Sequence, residues 1–194
     1  MSNKVALLIG GAVGVVFGVV LITLDAPPIA IALVTVPFLA WFVGCKLYLR
    51  HAAAHAVRKA LLRHVDPTAT APAGAQPADN QLIRRLNATF DWEVARPLIT
   101  SDFTMVDVRG RRFNQSIYKR SLAVYESAFS QIENQIEELY ADPHEPDVFH
   151  ARERLVGRPH RGPDLDATTW SRYVLTPDGQ QVRQVECTAV VSVA

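Results

Sequence analysis

The chain has 194 residues, a net charge of +1 at pH 7 and a mean hydropathy of +0.08, which fits one or two domains. Its two cysteines, Cys45 and Cys187, are too few for a disulfide framework and indicate free thiols. The stretch 1–65 carries six Lys or Arg against the single acid Asp25, whereas 80–194 carries 14 basic and 16 acidic residues. Because the basic excess lies beside apolar segments, it favours a membrane surface and argues against a nucleic-acid interface.

Two long apolar runs fill the first 50 residues. The run from Val5 to Leu24 has 20 residues, and as a helix it would be about 30 Å long, the thickness of a bilayer's hydrocarbon core. A second run, 27–49, follows after the short connector 25–28, whose prolines suit the start of a helix. We predict a transmembrane hairpin over 1–50, with spans at about 5–24 and 27–49, rather than a cleaved signal peptide.

Three glycines in the first run, Gly10, Gly14 and Gly18, are spaced by four. A dinucleotide-binding loop needs glycines at positions one, three and six, which this stretch lacks in every register. In a helix the three positions share one side, where missing side chains let a second backbone approach. We predict a helix-packing stripe whose partner is the second span or another copy of the chain, which leaves a homodimer open.

A basic helix and a linker are predicted to connect the spans to the rest of the chain. The helix covers 51–65, and basic residues follow the second span while the connector has none, so both termini and the soluble domain are expected in the cytoplasm. His51 and His55 share a helix face, but no third ligand lies nearby and we expect no metal site. Residues 66–79 contain three prolines and no large apolar side chain, which predicts a flexible linker.

The remaining residues, 80–194, have the pattern of a folded α+β domain. Apolar spacing predicts two short helices over 81–98 with a break near Asp91, then a strand over 103–108 and a helix over 115–129. Further strands are predicted at 148–157, 168–176 and 181–193, while 132–140 fits a strand or an extension of the preceding helix. Helices followed by an antiparallel meander predict a curved antiparallel sheet wrapped around the helices, with a cavity between them.

The string from Leu86 to Val108, LNATFDWEVARPLITSDFTMVDV, resembles the nuclear-transport-factor-like superfamily, which includes SnoaL-like polyketide cyclases and ketosteroid isomerases. The resemblance covers roughly 80–194 and implies a cone-shaped fold, frequent dimers and diverse roles, many of them non-catalytic. In ketosteroid isomerases an aspartate on the first strand shuttles a proton, and the matching position here is Asp107. The tyrosine that serves those enzymes as oxyanion donor is replaced by Leu82.

Asp107 has two interpretations. In an apolar cone its carboxylate would have a raised pKa suited to general-base catalysis, whereas at a strand end it would pair with one of the nearby arginines. Five more residues are candidates for the cavity lining: Tyr118, Tyr140, His150, Arg154 and Trp170. No nucleophile motif, phosphate loop or metal-ligand cluster occurs, so no cofactor or metal is expected.

Two functions are consistent with these features. The first is a membrane-anchored, non-catalytic module whose cone binds an apolar small molecule or a protein partner. The alternative is a membrane-tethered cyclase or isomerase that acts on a lipophilic substrate, with Asp107 as general base.

Overall fold

The computed structural model describes residues 52–194 and the single position Gly44. Apart from Gly44, the predicted spans and the stripe of Gly10, Gly14 and Gly18 lie outside the described residues. Within the described part, none of the helices has the length and apolar character needed to cross a membrane.

Within residues 52–194, the α-helices are α1 at 52–62, α2 at Gln81–Asn87, α3 at Trp92–Ala95 and α4 at Gln115–Ala128. Side chains cap three of them at the amino end, because Asn80, Asp91 and Asn114 each accept a hydrogen bond from a first-turn backbone N–H. The break predicted near Asp91 is therefore confirmed, and Asp91 is the cap that starts the second short helix. A 3₁₀ turn, Arg96–Leu98, then leads into the sheet.

Seven strands form one sheet in the order β1-β4-β5-β6-β7-β2-β3. Their bounds are Gln76–Pro77 (β1), Ile99–Val106 (β2), Arg112–Asn114 (β3), Phe129–Ala141 (β4), Val148–Pro159 (β5), Leu165–Leu175 (β6) and Val182–Val193 (β7). The residues 132–140, which fitted either a strand or a helix, lie in β4, where exposed and half-buried positions alternate.

The sheet is mixed, which corrects the prediction of an antiparallel sheet. Strands β4 to β7 form the predicted antiparallel meander, but β2 pairs with β7 in parallel. Helix α4 separates β3 from β4 in the chain, and the meander then returns β7 to the side of β2. The apolar pattern of a single strand carries no information on the direction of its neighbour, so the sequence did not reveal this pairing.

Two apolar clusters hold the helices on the sheet. The larger joins α2 and α4 to strands β2, β4, β5, β6 and β7, and its most buried members include Ile83, Phe103 and Val182. In the smaller cluster, Ala54 of α1 packs with Ala128, Phe129 and neighbouring side chains. Helix α1 is therefore packed against the domain that follows it.

Residues 66–79, predicted as a flexible linker, lie along the sheet in this structure. The amide of Asp66 donates to the carbonyl of Val190 at 2.6 Å, and the indole N–H of Trp170 donates to the carbonyl of Ala69 at 3.1 Å. Strand β1 then pairs with β4 at the edge of the sheet. Backbone groups make these contacts, so the absence of large apolar side chains did not exclude an ordered path.

Candidate functional site

A cavity of about 320 Å³ lies between the helices and the inner face of the sheet. Its walls come from α1, α2, α4 and five strands, and most lining side chains are apolar, among them Leu61, Phe90, Met105, Leu122 and Val185. The α+β layout predicted a cavity in this place. At its rim the Nε of Arg109 donates to Nε2 of His64 at 2.8 Å, which ties the end of α1 to the turn after β2.

Of the five residues predicted to line the cavity, only Tyr118 lies in its wall. Side chains of a strand alternate between faces, and Glu153 and Leu155 of β5 face the cavity, so His150 and Arg154 lie on the outer face. There His150 contacts Asp142 at 2.9 Å, and Arg154 pairs with an acid of β6.

Tyr140 and Trp170 are also absent from the cavity wall. The hydroxyl of Tyr140 donates to Glu138 at 3.0 Å, and its ring lies 6.2 Å from that of Trp170. Trp170 is buried, and its indole N–H donates to the carbonyl of Ala69 in the 66–79 segment. Both side chains therefore stabilise the outer side of the sheet.

Asp107 lies on the cavity wall, just after β2, where its carboxylate organises a turn. One oxygen accepts from the amides of Arg109 and Arg111 at 2.9 and 3.0 Å, and the other accepts from Nε of Arg111 at 2.7 Å. Gly110, with φ of 73°, supplies the left-handed residue of this turn. The carboxylate thus forms the arginine pair that was one of its two sequence interpretations.

The pKa of Asp107 is lowered, opposite to the raised pKa that the catalytic interpretation required. Burial acts to raise this pKa, but the hydrogen bonds from the side chain and backbone of Arg111 and from the backbone of Arg109 outweigh it. A carboxylate held in this way is a weak proton acceptor.

Sequence analysis missed a cluster of polar side chains inside the cavity, centred on Glu153. The hydroxyl of Tyr173 donates to Oε1 of Glu153 at 2.7 Å, and Nδ2 of Asn134 donates to Oε2 at 3.3 Å. Nδ2 of Asn87 in turn donates to the hydroxyl of Tyr173 at 3.3 Å. All four residues line the cavity, and Glu153 is only 7% exposed.

Burial dominates the electrostatics of this cluster. It raises the pKa of Glu153, against the lowering effect of the hydrogen bonds from Tyr173 and Asn134. Burial and the nearby charge of Glu153 also raise the pKa of Tyr173 and of Tyr118. Among residues 52–194 no Lys, Arg or His forms an ion pair with Glu153, so its ionised form would have no counterion from this part of the chain.

A signal for Glu153 was present in the sequence. On the inner face of β5 the alternate residues are Phe149, Ala151, Glu153 and Leu155, so one acid interrupts an apolar series. Glu153 could be identified only by choosing the correct face of β5 as the inner one. The predicted lining residues His150 and Arg154 lie on the opposite face.

A metal site has no support in the described residues, where no group of three or more His, Cys, Asp or Glu side chains is arranged to hold an ion. Cys187 lies in the cavity wall as a free cysteine. Burial, followed by the charges of Glu153 and Asp107, raises the pKa of its thiol to about 12.

Neither a protein-family model nor a curated protein matches the sequence. Solved structures do match. PrhC from Penicillium brasilianum has a TM-score of 0.50 at 12% identity, covering 54% of this chain and 75% of that chain. A hypothetical protein with a ketosteroid isomerase-like fold from Catenulispora acidiphila, in complex with trimethylamine, has a TM-score of 0.45 at 13% identity. The match covers 56% of this chain and 85% of that chain. An NTF2-like protein of unknown function from Exiguobacterium sp. has a TM-score of 0.44 at 14% identity, and the match covers 52% of this chain and 85% of that chain.

These likenesses concern the fold alone, because all identities are far below 25%. They agree with the resemblance noted in the stretch from Leu86 to Val108. The described residues thus contain an α+β fold with a seven-stranded mixed sheet, and the solved structures to which it is similar include a ketosteroid isomerase-like fold and an NTF2-like protein.

Proposed function

We propose that this protein is a membrane-anchored binding module whose cavity takes up a small, largely apolar ligand. The observation that carries the proposal is the cavity itself, whose walls are mainly apolar and which holds one polar cluster around Glu153 and a second polar group around Asp107 and Arg109. Apolar walls with a few convergent polar groups are the usual composition of small-molecule sites. A volume of about 320 Å³ suits a molecule of one or two rings.

The membrane part of the proposal rests on the apolar runs 5–24 and 27–49. The cavity wall includes Val57, Ala60 and Leu61, which follow the second run closely in the sequence. This closeness in sequence to the proposed anchor suits a ligand that partitions into lipid. The basic residues of 46–63 favour a cytoplasmic position for the domain.

The topology is tested by protease accessibility. Protease added to intact cells should leave residues 80–194 uncut, and permeabilised cells should allow their digestion. Digestion in intact cells would reverse the orientation, and recovery of the full chain in the aqueous fraction without detergent would remove the anchor.

An enzymatic function with Asp107 as general base receives less support. Both carboxylate oxygens of Asp107 are engaged in its turn, and its lowered pKa reduces its basicity. Turnover of a cyclic ketone by the purified chain, abolished by Asp107→Asn, would favour the enzyme over the module.

Ligand uptake is tested with a cavity-filling variant and a matched control. Ser121 lines the cavity, whereas Ser127 is exposed on the same helix, and each hydroxyl donates to the carbonyl three residues earlier. The full chain in non-ionic detergent is titrated with benzylamine, benzyl alcohol and acetophenone by calorimetry. We expect wild type and Ser127→Phe to bind at least one probe with 1:1 stoichiometry, and Ser121→Phe to lose at least tenfold in affinity. Absence of binding by all three probes, or equal binding by both variants, would overturn the proposal.

A further inference from the structure

We propose that the cavity is selective for a ligand with a protonated amine head and an apolar body, with Glu153, Asn87 and Asn134 as its head-group site. This inference rests on the proposed function, since it names the chemical class of ligand for the same cavity.

The first argument is the direction of the hydrogen bonds around Glu153. Tyr173 and Asn134 both donate to its carboxylate, one to each oxygen. Donors on both oxygens are the arrangement that an ionised carboxylate prefers. These donors favour the ionised form of Glu153 once a positive charge lies beside it, whereas in the free protein burial keeps the pKa of this carboxyl raised.

The second argument is the set of buried acceptors that lack a donor. In the described residues, Oδ1 of Asn87 and Oδ1 of Asn134 are buried without any hydrogen-bond partner, although the Nδ2 of each amide is engaged. A buried acceptor without a donor is unfavourable, because it loses its hydrogen bond to water and gains none in exchange. Both amides line the cavity beside Glu153, and Asn87 is 8% exposed, so a ligand in the cavity is the natural source of the missing donors.

The absence of a counterion for Glu153 also favours a positively charged ligand. Glu153 has no ion pair with any residue of 52–194, so its ionised form would be a buried charge without a counterion, and burial accordingly raises its pKa. An ammonium group has three N–H donors and one positive charge. It therefore matches in number the three acceptors of the cluster, an oxygen of Glu153 and the two orphaned amide oxygens. A ligand that carries only an acceptor, such as a ketone, would leave both amide oxygens unpaired.

The apolar walls of the cavity favour an amine that carries an apolar body. Tyr118, Phe90 and Leu122 line the same cavity as the cluster and suit a hydrocarbon or aromatic body. A fully polar cation, by contrast, would lose its hydration without compensating apolar contacts. The site therefore excludes inorganic cations and favours an organic amine.

The experiment compares the three probes that share one aromatic body. Benzylamine is a cationic donor, benzyl alcohol a neutral donor, and acetophenone a neutral acceptor. We expect wild type to bind benzylamine at least tenfold more tightly than acetophenone at pH 7, and Glu153→Gln to lose this preference. Exposed Glu133 on β4 supplies the matched control, because Glu133→Gln should keep the preference.

Two further measurements keep the proposal falsifiable if Glu153→Gln fails to fold. The leucine side chain has nearly the same shape as that of asparagine. Asn87→Leu should therefore weaken the binding of benzylamine and leave the binding of acetophenone unchanged. Calorimetry in buffers of different ionisation enthalpy should show proton release when benzylamine binds to wild type, since a cation beside Glu153 favours its ionised form. Equal or tighter binding of acetophenone would overturn the amine assignment while leaving the cavity a ligand site, whereas failure of all three probes would overturn the proposed function itself.

Discussion

The hydroxyl of Tyr173 donates a 2.7 Å hydrogen bond to Glu153 inside the cavity, across neighbouring strands β6 and β5. Tyr140 and Glu138 form a comparable pair at 3.0 Å on the outer side of the sheet. The same two chemical groups thus meet in two environments, one closed to water and one open to it. Because of this difference in environment, we expect the inner pair to contribute more to stability than the outer one.

Removal of the inner hydroxyl should destabilise the domain. Tyr173→Phe leaves an oxygen of Glu153 and the amide of Asn87 without their partner, and we expect a loss of about 1–3 kcal/mol in the free energy of unfolding. Chemical denaturation followed by fluorescence measures it. Tyr140→Phe is the matched control and should leave the unfolding midpoint close to that of wild type. An equal effect of the two substitutions would contradict the assigned role of the inner pair.

The stability of the free protein should depend on pH through Glu153. The unfolded residue ionises near its ordinary pKa of 4.5, whereas the folded residue holds its proton to higher pH because burial raises its pKa. The native state therefore binds more protons above pH 4.5, and this group lowers stability as pH rises toward the folded pKa. Glu153→Gln removes the effect, so its stability relative to wild type should increase between pH 4.5 and 8. A difference that does not change with pH would contradict the raised pKa.

The turn held by Asp107 predicts a structural effect without loss of ligand binding. Asp107→Ala removes the acceptor of two backbone amides and of Arg111, and we expect a cost of about 1–2 kcal/mol in stability. Since the pKa of Asp107 is lowered, its stabilising contribution is present above pH 3.8 and is lost as the pH falls through the folded pKa. Exposed Asp102 on β2 offers the control Asp102→Ala. Loss of benzylamine binding by a folded Asp107→Ala would place Asp107 in the binding site instead.

The close approach of β5 to Phe129 predicts that Gly157 cannot be replaced without cost. A Cβ at this position would lie 2.7 Å from the Phe129 ring, which is itself 4% exposed and packed in the smaller apolar cluster. We expect Gly157→Ala to destabilise by about 1–3 kcal/mol. Val156→Ala, at an exposed position of the same strand, should have a smaller effect on the thermal midpoint. Comparable midpoints for the two variants would show that Phe129 moves aside freely.

Cys187 provides a chemical probe of the cavity. With a pKa of about 12, its thiol is almost entirely protonated at pH 8. Because the thiolate is the reactive form, alkylation by iodoacetamide should be slower than that of a free thiol on the order of a thousandfold. The rate is measured in a Cys45→Ser background, and it should rise when the domain is unfolded in urea. Rapid alkylation of the folded chain would show that the thiol is not buried.

Local chemistry made much of the domain predictable from sequence. Asp91 marked the boundary between two short helices because an aspartate caps an amino terminus well. Alternation placed the meander strands, since their apolar residues recur with the period of a strand. The cavity followed from the layer arrangement, because helices on one side of a curved sheet leave space between them.

Features that depend on partners distant in sequence were not predictable in the same way. The parallel pairing of β2 with β7 joins residues about 80 positions apart, and no local signal reports its direction. The choice of inner face on β5 decided whether Glu153 or its neighbours His150 and Arg154 faced the cavity. The ordered path of 66–79 depends on Trp170, which lies 101 positions beyond Ala69.

The most direct test of the account is a crystal structure of the full chain grown with benzylamine. We expect the aromatic ring between Tyr118 and Leu122, with the nitrogen within about 3 Å of a carboxylate oxygen of Glu153 and of Oδ1 of Asn87. Density for the ligand only at the protein surface, with the cavity filled by water or closed by its own side chains, would contradict it.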